Sequence, residues 1–162
     1  MEETKRLENI TIENAHIFSR NFSGRERRPY NPEGVRNFCV RLDRDQADKL
    51  AKDGWNVRPG RKLDDGSEMD PYIQVAVKYG AINPNIYLIV GRKKILLDEE
   101  SVGRLDNAVI INVDMTVHPR VWDVNGKTGV KAYVRDMYVT VEEDVLSAKY
   151  ADMGPDEDDF PF

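Results

Sequence analysis

Apolar residues in this chain recur with a period of two far more often than with a helical period. From Asn9 to Phe18, Ile10, Ile12, Asn14, His16 and Phe18 alternate with Thr11, Glu13, Ala15 and Ile17, which predicts a strand. Val35 to Leu42 predicts a second, with Phe38, Val40 and Leu42 on one face; Arg36 shares that parity but lies beside the preceding loop. Pro71 to Tyr79 predicts a third, with Ile73, Val75 and Val77 inward. Ile86 to Val90 is short and fully apolar, and Ile95 to Leu97 is placed to pair back on it across the basic turn Gly91 to Lys94. Asn107 to Val117 places Val109, Ile111, Val113, Met115 and Val117 on one face. Gly129 to Val141 closes the series, with Val130, Ala132 and Val134 against Lys131, Tyr133 and Arg135. Asn125-Gly126 makes the last two a hairpin, across a turn spanning Pro119 to Thr128.

Helical signals are few. Asp43 to Lys52 carries acids in its first turn and Ala47, Leu50 and Ala51 at helical spacing. Asp98 starts a second short helix to about Leu105, and Glu142 to Tyr150 reads as a third. Arg20 to Pro32, with four arginines, two prolines and Gly24, reads as a loop, and Arg58 to Asp70 as a hairpin-type loop. Strands and helices do not alternate, so a doubly wound parallel sheet is not expected. The expected class is all-β with two or three short helices, an antiparallel barrel of the OB (oligonucleotide/oligosaccharide-binding) type that closes its own edges; a sandwich is the alternative. Residues 1–153 form the expected domain and 154–162 a disordered acidic tail.

Composition then narrows the function. The 162 residues, 40% hydrophobic and 33% charged, suit one globular domain. No apolar run is long enough to span a bilayer and no signal pattern opens the chain, so a cytoplasmic protein without membrane partner is expected. A single cysteine, Cys39, fits a reducing compartment and a buried structural thiol. Two histidines and one cysteine are too few for a structural zinc site, and no cofactor motif appears. Asp106, Asp114 and Asp123 are the only carboxylates suggesting a metal-dependent nuclease; surface acids explain them better, and no enzymatic constellation is evident.

Net charge is −5, but it is unevenly spread. Residues 20–62 hold twelve Lys or Arg against six Asp or Glu, a local excess of +6. Aromatics lie beside bases throughout: Phe22 and Tyr30 flank Arg25, Arg27 and Arg28, and Trp122 follows Arg120. Trp55 sits near Lys52 and Arg58, and Tyr72 and Tyr79 share a strand with Lys78. Tyr133 lies two positions from both Lys131 and Arg135, so all three share the strand face opposite the core. Cationic grooves with exposed rings hold single-stranded nucleic acid through phosphate contacts and base stacking. The DNA-binding set expected from the residues is therefore Arg20, Phe22, Arg25, Arg27, Arg28, Tyr30, Arg36, Lys78, Arg120, Trp122, Lys131, Tyr133 and Arg135.

After Gly154-Pro155 come Asp156, Glu157, Asp158 and Asp159, then Phe160, Pro161 and Phe162. Acids alone would make a solvated tail. Two Phe beside a carboxylate suit capture by a basic, apolar pocket on another protein. The stretch Asp158 to Phe162 resembles the acidic, Pro-Phe-ended tip of single-stranded DNA-binding proteins of bacteria and their phages. Gly34 to Leu42, Ile111 to Val117 and Gly129 to Val134 resemble the body of phage-encoded single-stranded DNA-binding proteins with an OB fold. That resemblance implies sequence-tolerant single-strand binding in replication or recombination. It also implies docking of a polymerase, helicase, primase or exonuclease on Asp156 through Phe162, in the host cytoplasm. The long linker of the bacterial proteins is reduced here to Gly154-Pro155, so the tail's reach is short; their tetramer is not assumed, and a homodimer stays open. The remaining alternative is an interaction or virion-accessory protein whose acidic tail only solubilises it.

Overall fold

Alternation of apolar and polar positions is what the backbone follows. In the computed structural model, which describes residues 7–25 and 34–143, eight strands form: β1 Ile10–Ile12, β2 Ile17–Asn21, β3 Arg36–Arg41, β4 Tyr72–Val77, β5 Asn85–Val90, β6 Lys93–Leu97, β7 Ile110–Val124 and β8 Lys127–Val141. One α-helix, α1 (Arg44–Lys52), and a 3-10 turn (Val102–Asp106) complete the described elements. The protein is all-β. Helix α1 is capped as expected, the Asp43 carboxylate accepting the Gln46 N–H at 2.7 Å, and it buries Ala47 and Leu50. The expected second helix is only the 3-10 turn; Asp98 precedes it, its carboxylate accepting the Glu100 and Ser101 N–H groups. The expected helix over 142–150 falls almost wholly outside the described residues, as does the tail. No helix among the described residues is long and apolar enough to cross a membrane.

The sheet runs in the order β1-β7-β8-β4-β3-β2, with β5 pairing β8 and β6. Strand pairing is mixed rather than wholly antiparallel. β8 is long enough to take two parallel partners in succession, β4 at Val75↔Ala132 and Ala76↔Tyr133, then β5 from Asn85↔Asp136 to Ile89↔Thr140. The hydrogen-bonded path is not a closed ring. Its two ends, β1 and β2, are nevertheless consecutive in the chain, where one continuous strand is expected; Asn14, at φ 52°, lies between them.

The β7–β8 pair is longer than the sequence suggests. Pairing continues through Pro119↔Ala132 to Val124↔Lys127, leaving only Asn125 and Gly126 in the turn. Both have the positive φ (53° and 82°) that a two-residue hairpin needs. Two bulges set the faces of this arm. One, between Ile110 and Asn112, turns Val109 and Ile111 outward (63% and 65% exposed), against expectation, while Val113, Met115 and Val117 stay buried. The other, at Thr116/Val117, makes Arg135 an extra residue in β8, because Val117 pairs with Val134 and Thr116 with Asp136. The core lies against the inner face and includes Phe22, Phe38, Val40, Ile73, Val75, Met115, Val117, Val130, Val134 and Met137.

Candidate nucleic-acid interface

The face of the sheet turned away from this core carries charge and rings. On the arm, Val130, Ala132 and Val134 point inward as the alternation predicts, so Lys131, Tyr133 and Arg135 point out. The register places His118 opposite Tyr133, Arg120 opposite Lys131 and Trp122 opposite Gly129. Trp122 lies flat over the glycine: a methyl group at Gly129 would come within 2.5 Å of Trp122 Cζ2. The ring thus gains a cross-strand seat yet remains 42% exposed. The Lys131 ammonium sits 5.5 Å from the Tyr133 ring centroid. Arg120 and Lys131 face each other as like charges, an arrangement that costs free energy until an anion lies between them. Among the described residues, no hydrogen bond or ion pair engages the Arg120 or Arg135 guanidinium or the Lys78 ammonium.

Two grooves flank the arm. One, of about 590 Å³, is lined by Lys78, Tyr79, Asn83, Arg120, Tyr133 and Arg135. The other, of about 650 Å³, is lined by Val35, Asn37, Gln74, Trp122, Gly129 and Lys131. Ala76, with a small side chain, lies beside Tyr133 on the β4 side. The same outward parity runs on across β4, β3 and β2 through the pairs Arg41↔Tyr72 and Phe18↔Cys39. There Phe18 meets Tyr72 edge-on at 5.2 Å, and the Arg41 guanidinium lies 5.6 Å over the Phe18 ring. Phe18 and Arg41 are missing from the set expected from the sequence. Their signal was the strand parity, which puts Arg41 opposite to Phe38, Val40 and Leu42.

Other expected residues are placed elsewhere. Phe22 is fully buried and stacked on Phe38 at 5.0 Å, so its ring belongs to the core and is not open to a base. The Arg20 guanidinium donates to the carbonyl oxygens of Leu105 and Ala108, both at 2.8 Å, and so ties β2 to the 3-10 turn. Arg36 does not reach outward. It pairs with Glu99 at 3.4 Å and lies 5.7 Å over the Tyr79 ring. Burial pushes the Tyr79 phenol up to about 12, against the pull of the Arg36 charge. Arg25 is exposed, the last described residue before Gly34. Arg27, Arg28, Tyr30 and Asp156 through Phe162 lie outside the described residues.

The described segments on either side of residues 26–33 are clamped. The Asp106 carboxylate accepts the Phe22 N–H at 2.6 Å and the Ser23 N–H at 3.1 Å, and Gly34 N–H donates to Gly24 O at 2.9 Å. The Asp106 carboxylate thus serves as an acceptor for the backbone of residues 22 and 23. Asp114 accepts from Asn14 N–H and Asn112 Nδ2, and Asp123 stands near the hairpin tip. No group of three or more His, Cys, Asp or Glu side chains placed to hold a metal occurs among the described residues.

Comparison with known proteins places this arrangement. The fold resembles that of the single-stranded DNA-binding protein from bacteriophage Enc34, at 10% identity and a TM-score of 0.51, over 84% of this chain and 82% of that one. The structure of the same phage protein in complex with ssDNA gives 8% identity and a TM-score of 0.53, over 84% and 88% of the two chains. Among curated proteins, nothing matches. A family model described as "Putative phage ssDNA-binding domain" matches residues 1–160, and by that match the chain belongs to the phage single-stranded DNA-binding family.

Proposed function

We propose that the protein binds single-stranded DNA, without regard to sequence, across the outward face of β7, β8 and β4. The observation that carries this is the arm itself, where Arg120, Lys131 and Arg135 stand beside the exposed ring of Trp122 and the half-buried ring of Tyr133 on one side of two paired strands. Phosphates would take the cations and bases the rings. Neither contact distinguishes one base from another, so the binding is sequence-tolerant. The exposed Arg25 follows Gly24, whose carbonyl accepts the Gly34 N–H, and so adds positive charge near the groove at Val35 and Asn37. Such local fields act within about 10 Å at moderate salt, so they prevail over a net charge of −5.

The wider reading is an OB-type binding protein acting in phage replication or recombination, in the cytoplasm of the host, and without catalysis of its own. Asp156 to Asp159 and Phe160 to Phe162 would recruit a polymerase, helicase, primase or exonuclease through charge and two apolar anchors. In the absence of DNA the same acids would compete for the cationic face, at the high effective concentration of a tethered ligand. Deleting residues 154–162 should then tighten single-strand binding, most at low salt, and abolish capture of the partner enzyme.

Titration with oligo-dT tests the main reading. Trp55 lines the same groove but is only 4% exposed, so most of the quenching of tryptophan fluorescence should come from Trp122, and Trp122→Phe should remove most of the signal. The logarithm of the binding constant should fall with the logarithm of salt concentration, by about 0.7 per phosphate neutralised. Absence of quenching at low salt, with the fold intact, would sink the proposal.

A further inference from the structure

The outward face of the arm does not end at Arg135. The bulge there makes inward positions step by three, from Val134 to Met137 and Val139, both fully buried. The next outward ring on the strand is thus Tyr138, five residues and about 17 Å beyond Tyr133. Tyr138 is 38% exposed and is not alone. Tyr87 of β5 lies beside it in parallel register, and the rings stack at 5.1 Å with 13° between their planes. Lys94 of β6 holds its ammonium 4.8 Å over the Tyr87 ring. Arg92 and Lys93 lie beside it, exposed on the turn and the start of the strand.

We propose that a single strand bound on the arm continues along β8 past Arg135 and stacks a further base on the Tyr87–Tyr138 pair, with Lys94 against its phosphate. This rests on the single-stranded DNA reading above. A stacked pair of rings under an ammonium repeats, one bulge further on, the chemistry of Tyr133 under Lys131. The nearby carboxylates are Asp136, which accepts from Asn85 Nδ2 at 3.0 Å, Asp114, which accepts from Asn14 N–H and Asn112 Nδ2, Glu13, which shares a groove with Tyr138, and Glu143, beside Gly91; Arg92, Lys93 and Lys94 stand against them. The exposed cations of this hairpin favour a polyanion over an apolar partner, although Leu96 is also exposed on this face. The bulge is the device that makes the track continuous, because without it the parity of β8 would bury Tyr138.

The test compares two lengths of oligo-dT, chosen near the limits of single OB-type sites, about 4 and about 16 nucleotides. Tyr138→Leu keeps apolar bulk and strand preference but removes the stacking face, and Lys94→Gln removes the charge. Tyr138→Leu should weaken binding of the long oligonucleotide by about five- to 150-fold and leave the short one unchanged. Lys94→Gln should reduce the salt slope for the long one by about 0.7. Equal losses on both lengths, in a variant with the wild-type urea midpoint, would make Tyr138 part of the short site rather than an extension of it, and no loss on the long one would leave the pair outside the path; either result overturns the proposal. If wild type self-associates without DNA and Tyr138→Leu does not, while both bind the long oligonucleotide alike, the face belongs to a second copy and the proposal falls. Failure of wild type to bind either length overturns it together with the reading beneath it.

Discussion

Arg20-Asn21-Phe22 and Arg120-Val121-Trp122 present the same pattern, an arginine two residues before an aromatic ring in an extended segment. The first turns inward and the second outward. Arg20 meets two carbonyl oxygens from residues 105 and 108, and Phe22 fills the core against Phe38. Arg120 meets another cation, and Trp122 rests on a glycine with solvent beyond. What separates them lies across from each, not within either: an end of the sheet with carbonyls to satisfy, or a two-stranded arm whose outer side stays largely open among the described residues. A basic-aromatic pattern therefore predicts affinity for polyanions only once the partner strand is known.

The largest effect should separate the two tripeptides outright. Phe22→Ala should cost about 3–5 kcal/mol of unfolding free energy, measured by urea denaturation, because it opens a cavity under Phe38. Trp122→Ala should move stability by no more than about 0.5 kcal/mol and instead weaken oligo-dT binding by about 1–3 kcal/mol. A large stability loss from Trp122→Ala would make the arm a packing element and erase the contrast. Next in size is Arg20→Met. It removes a charged donor from two carbonyls and should destabilise by about 2–3 kcal/mol while leaving the salt slope of binding unaltered. Combined Arg120→Ala, Lys131→Ala and Arg135→Ala should do the reverse, flattening the slope by about 2 with the urea midpoint unchanged or raised, since two facing like charges are gone. A slope change from Arg20→Met equal to that of the triple variant would show that both sites touch phosphate.

How much of this was legible in the sequence follows the range of the interactions. Helix α1 was readable because Asp43, Ala47 and Leu50 state its cap and buried face within ten residues. The hairpin was readable from Asn125-Gly126, but its length was not, since Pro119 reads as a breaker. In the structure it sits within the arm opposite Ala132, a position its missing N–H tolerates. Lys131, Tyr133 and Arg135 were readable as one outward face from parity alone. Val109 and Ile111 were misread because a bulge leaves no mark on the alternation. The fate of Arg20 was not readable at all, being settled by carbonyls 85 and 88 residues away. The parallel pairing of β8 with both β4 and β5 is of the same non-local kind.

The smallest expected effect concerns a residue lining a groove of the binding face yet facing partly inward. The Tyr79 hydroxyl is buried without a hydrogen-bond partner among the described residues, next to Arg36. Burial, opposed by the Arg36 charge, lifts its phenol from 10.0 to about 12. A raised folded-state pKa means the folded protein holds the proton more tightly than the unfolded chain. The stability tied to it is complete below pH 10 and is lost as pH climbs through 12. Tyr79→Phe removes both the unpaired hydroxyl and the titration. It should be neutral or slightly stabilising at pH 7 and should flatten the decline in unfolding free energy above pH 10, with single-strand affinity at neutral pH nearly unchanged. An equally steep alkaline decline in the Phe variant would assign that proton to another group. A marked loss of affinity would move Tyr79 from the wall of the groove to its contact surface, and with it the inward boundary between the two kinds of arginine-aromatic site.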